Sequence, residues 1–109
     1  MSEDPAVLFQ MKLSSSDKQD KLKVLSILAH AITVEIRLVF ISDPRPSKST
    51  LYAMNEIQHT ITGRLTDILY SHDRWKEEEF VLMLYEYGIE ANWKSGIDAA
   101  IQTTLTATE

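Results

Sequence analysis

From Asp17 to Asp43 the chain runs without a glycine or a proline, between a serine cluster at Ser14, Ser15 and Ser16 and the pair Pro44 and Pro46. The serines offer side-chain acceptors for the orphan donors of a helix N-terminus, and Asp17 puts an acid in its first turn. Each proline removes a backbone donor and biases the preceding residue out of the helical region, so a helix begun here stops at Asp43. At about 1.5 Å per residue it would be about 40 Å long, more than the diameter expected of so short a chain. Part of it should overhang.

This helix carries more apolar surface than one face needs. Leu22, Leu25, Leu28, Ala29, Ile32, Ile36 and Val39 form one stripe on a 100° wheel, and Val24, Ile27, Ala31, Val34, Leu38 and Ile41 form a second roughly opposite. A surface helix requires only the first. Either the N-terminal arm and the third helix cover the second stripe, or it meets another chain, and the expected outcome is a homodimer or another helical contact. Residues 32–41 have a competing reading as a strand, since Ile32 to Leu38 alternates and is rich in β-branched side chains. The helix is preferred because no second run of comparable β character exists to pair with it.

The remaining periodicity is helical too. Ser47, Ser49 or Thr50 caps a second helix to about Ser71, with Leu51, Met54, Ile57, Ile61, Leu65, Ile68 and Leu69 on one stripe and Gln58 as a polar intruder. His72 and Asp73 connect to a third, with Glu77, Glu78 and Glu79 near its start, Phe80, Met83, Leu84 and Tyr87 on one face, and Gly88 as a left-handed terminator. A shorter fourth helix begins at Asn92 or Ser95 and frays over residues 103–109. Residues 1–13 read as an irregular arm docking through Val7, Leu8, Phe9, Met11 and Leu13. The expected fold is therefore one all-α domain over residues 1–109, a small antiparallel bundle of three main helices plus a shorter C-terminal one.

Composition narrows the function. With no Cys among 109 residues there is no disulfide framework, thiolate zinc site or cysteine nucleophile. A net charge of −5 opposes general affinity for nucleic acid or anionic lipid. The longest apolar region, Val24 to Ile41, holds Ser26, His30, Thr33, Glu35 and Arg37, too polar for a membrane span, and the N-terminus lacks the marks of a secretory signal. A cytoplasmic protein is expected. Charge is also divided: eight Lys and Arg face seven Asp and Glu up to Arg64, and three face nine beyond it. The acidic half is a solvated face or a lure for a basic enzyme, as in small acidic inhibitors.

One further face draws interest. Tyr52, Glu56, His59, Gly63, Thr66 and Tyr70 line up on the second helix away from its apolar stripe, as a packing seam or a ligand-facing wall. Gly63 costs about 1 kcal/mol relative to Ala inside a helix, which close approach by another backbone would justify. Glu56 and His59 form an E-x-x-H, the spacing of carboxylate-bridged dimetal bundles, although a second such motif is missing from the chain and only a dimer would supply it. Glu35 and Arg37 point apart, so Glu35 taking Arg64 across an interface is a possible specificity contact. Phosphate-binding loops, H-E-x-x-H and nucleophile elbows are absent, and no cofactor is expected. The leading expectation is a non-enzymatic helical interaction protein, ahead of a metal or small-molecule site at Glu56 and His59 and of an acidic inhibitor.

Overall fold

The segment expected to be an irregular arm is a helix. Asp4 has extended backbone and its carboxylate accepts from the Ala6 N–H at 2.9 Å, while Pro5 takes the first helical position, where its missing donor costs nothing. The computed structural model describes residues 4–41, 44–70 and 74–109, and all of their side chains except those of Leu65, Thr66, Leu69 and Arg74. These residues form five α-helices and no strand: α1 (Pro5–Ser15), α2 (Lys18–Phe40), α3 (Lys48–Tyr70), α4 (Arg74–Glu90) and α5 (Lys94–Ala107). The expected connector at His72 and Asp73 lies outside the described residues.

The helical reading of residues 32–40 holds, but α2 starts later than its serines suggested. Asp17 is the cap, accepting from the Asp20 N–H at 2.8 Å. Ser15 and Ser16 instead turn back onto the Lys12 carbonyl at the end of α1. Ser47 caps α3 as expected, accepting from the Thr50 N–H at 3.3 Å. The end of α4 is displaced from Gly88, which stays inside the helix without a positive φ. Asn92 takes the left-handed role at φ 55°, with its N–H on the Ile89 carbonyl and the Trp93 N–H on the Gly88 carbonyl, a Schellman closure. Gly88 serves packing, because a Cβ there would sit 2.8 Å from Ile97 Cγ1 of α5. α5 then starts after Trp93 and carries through to Ala107 across the Thr-rich stretch expected to fray, with Thr104 buried and its hydroxyl on the Ala100 carbonyl.

A single core forms where the helices meet. Leu25, Leu28, Ile32 and Ile36 of α2, Met54, Ile57, Ile61 and Ile68 of α3, Phe80 and Leu84 of α4, and Ile97, Ala100 and Ile101 of α5 are all buried. α1 adds Phe9 and Leu13, one turn apart on one face and fully covered. α2 packs mainly on α5 and α3, α3 on α4, and α1 on both α4 and α5. The radius of gyration is 13.6 Å, close to the value of about 13 Å for a compact chain of this length.

Polar groups join these elements. Lys21 and Glu77, both buried, pair at 2.5 Å, and the other Glu77 oxygen accepts from the Ser14 hydroxyl at 2.8 Å. One carboxylate thus ties α1, α2 and α4 together. Of the three consecutive acids read as helix-dipole partners, Glu77 points inward and Glu79 pairs with Arg64 at 3.3 Å.

Candidate functional site

The second stripe of α2 is divided by its neighbours. Val24 and Ala31 are buried, so the chain covers them itself and they are withdrawn as interface residues. Ile27 is half-buried and shares a groove of about 280 Å³ with His30, Ala31, Val34, Glu35 and Thr103 of α5. Along the same stripe, Val34 is 39%, Leu38 52% and Ile41 79% exposed. The gradient follows from length: α5 is about 21 Å long against about 34 Å for α2 and begins at Lys94, so it cannot cover the whole of its partner. On this stripe the overhang falls in the last two turns, while Leu22 of the first stripe, expected to be covered, is 50% exposed near the start of α2.

On α3, Tyr52, Glu56, His59, Gly63 and Tyr70 are exposed, and the Thr66 side chain lies outside the described residues. Among the described residues nothing of this chain stands within 4 Å of a Cβ built on Gly63, so no backbone of the chain itself makes the close approach. Tyr70 carries the Lys18 ammonium 3.9 Å from its ring centroid, a contact between α3 and the start of α2. His59 turns to one side, where it borders a groove of about 350 Å³ between α2 and α3 together with Thr33, Asn55, Gln58 and Thr62. There the intruding Gln58 donates to the Thr33 hydroxyl at 3.4 Å. Glu56 is not among the groove residues, and among the described residues no three His, Asp or Glu side chains gather as a metal site. Within the chain Arg64 pairs with Glu79 at 3.3 Å, and a Glu35 to Arg64 contact between copies stays a proposal.

A second exposed apolar row lies on α4, which the sequence reading described only by its buried face. Trp75 is 57%, Leu82 59% and Ile89 64% exposed. Seven-residue spacing turns each only about 20° from the last, so the three form one line about 21 Å long. Glu78, Glu86 and Glu90 are exposed along it. The signal, apolar residues repeating at seven, was present in the sequence, but the Phe80, Met83, Leu84 and Tyr87 face accounted for the helix without it.

The most perturbed titratable pair is structural. The Tyr85 hydroxyl of α4 donates to Asp98 of α5 at 2.6 Å, and Lys94 reaches the other carboxylate oxygen at 3.1 Å. Burial, and then the bond to Asp98, raise the Tyr85 hydroxyl well above its usual range. Burial pushes the Asp98 carboxyl up, but the hydrogen bonds from Tyr85 and Lys94 and the Lys94 charge outweigh it and leave the group lowered. This pair staples two helices, and Tyr85 and Lys94 line an open groove of about 300 Å³ with Ala6 and Val7 of α1 and Leu82 of α4.

Three exposed features therefore stand out: the apolar end of α2, the groove between α2 and α3, whose apolar floor of Ala29, Ile32 and Ile61 is rimmed by polar groups, and the acid-flanked row on α4. No protein-family model, curated protein or solved structure matches the chain.

Proposed function

We propose that this chain is a non-enzymatic interaction protein of the cytoplasm, an antiparallel helical bundle that associates with itself through the exposed end of α2, in its simplest form as a homodimer. The observation that carries this reading is the exposure of Val34, Leu38 and Ile41 along one side of the helix, of which Leu38 and Ile41 lie past the groove shared with α5. Three large aliphatic side chains within two turns favour transfer out of water, at about 25 cal/mol for each Å² removed. The net charge of −5 and the missing phosphate-binding loops argue against nucleic acid or nucleotide as the partner.

Light scattering over a wide concentration range tests the reading. The expected result is a mass that rises with concentration for the wild type and stays at one chain for Leu38→Glu, whose exposed site leaves the fold intact. A wild type that remains monomeric at millimolar concentration contradicts it.

A second reading, a small-molecule site, is favoured by the groove bordered by His59, since its hydroxyl, amide and imidazole groups suit a small uncharged hydrogen-bonding ligand. A metal at Glu56 and His59 would need further ligands from a second copy. Elemental analysis of the purified protein tests that variant directly, and a metal-free protein whose melting temperature ignores added divalent ions removes it.

A further inference from the structure

We infer that self-association is head-to-tail: the apolar end of α2 in one copy docks on the Trp75, Leu82 and Ile89 row of α4 in the next. This rests on the self-association reading above and adds the surface that receives the α2 end.

The two surfaces belong to different helices and carry opposite charge. From Val34 to Lys48 the sequence holds three basic residues, Arg37, Arg45 and Lys48, against two acidic ones. From Arg74 to Glu90 it holds two basic residues against five acidic ones, of which Glu77 is turned inward onto Lys21 and Glu79 pairs with Arg64. Arg37, Arg45 and Lys48 are exposed, as are Glu78, Glu86 and Glu90. Docking the α2 end on the α4 row therefore brings basic side chains beside glutamates while both apolar strips leave water. A two-fold contact has no such match. Two α4 rows face to face set glutamates against glutamates, which like-charge repulsion opposes, and two α2 ends leave the glutamate-flanked row unmatched.

The arrangement also explains why one chain keeps two uncovered apolar surfaces, because each copy uses both, one as donor and one as acceptor. Such a contact does not saturate at two chains. It closes into a ring if the rotation allows and otherwise extends as a filament.

Mixing two variants tests this. Leu38→Glu disables the α2 end and Leu82→Glu disables the α4 row; both residues are more than half exposed, and unchanged circular dichroism and melting confirm that each variant folds. Sedimentation velocity is then run on the wild type, on each variant and on their equimolar mixture. The wild type is expected to grow past two chains, with added salt weakening the assembly. Each variant alone should associate at least about tenfold more weakly. In the mixture, the intact row of the Leu38→Glu chain receives the intact α2 end of the Leu82→Glu chain and restores a pair that stops at one of each. A wild type that stops at two chains, with no recovery on mixing, overturns the head-to-tail contact and leaves self-association standing. A wild type that stays monomeric overturns both.

Discussion

A methyl group added at Gly63 and one added at Gly96 meet opposite surroundings. At Gly63 the Cβ enters open space, so Gly63→Ala only removes backbone freedom from the unfolded chain and is expected to stabilise by about 0.5–1 kcal/mol. At Gly96 the Cβ would lie 2.0 Å from Cε2 of the buried Trp93 ring, which cannot move without uncovering itself. Gly96→Ala is expected to cost about 1–3 kcal/mol as an overpacking change. Thermal melts of the two variants should therefore move in opposite directions, and a loss at Gly63 would show a contact there that the single chain lacks. Nothing in the sequence separates these glycines, since both stand alone inside helical patterns; a ring folding back from three residues earlier decides the matter. The same holds at the end of α4, where Gly88 carries the usual signature of a terminator but Ile97 claims its space, and the left-handed position passes to Asn92.

Tyr85 and Asp98 set the pH limits of their staple. The folded value of Asp98 is lowered, so its stabilising effect is whole above the unfolded value of about 4 and is lost as pH falls through the folded one. Tyr85 is raised from 10.0, so its effect is whole below pH 10 and is lost as pH climbs beyond that. Urea midpoints measured across pH should show the wild-type advantage over Asp98→Asn at neutral pH shrinking below about pH 4. An advantage that stays constant down to pH 2 would detach the carboxylate from the staple.

Among the elements, α1 shows most clearly where periodicity fails. Phe9 and Leu13 are buried in the core and Ala6 packs against it, while Val7, Leu8 and Met11 are exposed, so its apolar residues spread around the helix and give no stripe to read. The legible signal was Asp4 before Pro5, a cap followed by a preorganised first residue. α2 and α3 were readable because their inward positions repeat over many turns. The tie between α1, α2 and α4 was not, because a buried Lys21 and Glu77 resemble any exposed pair until the helices are assembled. Removing one partner leaves a buried charge alone: Lys21→Met or Glu77→Leu is expected to cost about 3–5 kcal/mol, and the double variant to recover most of it. Chemical denaturation of the four proteins measures the coupling, and a double variant as unstable as the summed singles would show that the two charges act independently.

For the whole molecule, what the sequence made visible was surplus: too much apolar surface on the first long helix, and an excess of acid after Arg64. The fold resolves the first by covering Val24 and Ala31 while leaving Leu38 and Ile41 in water. Part of the second lies beside the row on α4, whose partner pattern emerges only once Phe80 and Leu84 have claimed the opposite side. The side chains proposed to meet a second copy are ones that a single chain leaves in water. The two tryptophans fall on either side of this division, Trp75 wet and Trp93 dry. Indole emission consequently contains two built-in reporters, one that a neighbouring copy would shield on docking and one that stays shielded until the chain melts, so assembly and unfolding can be followed apart without attaching a dye.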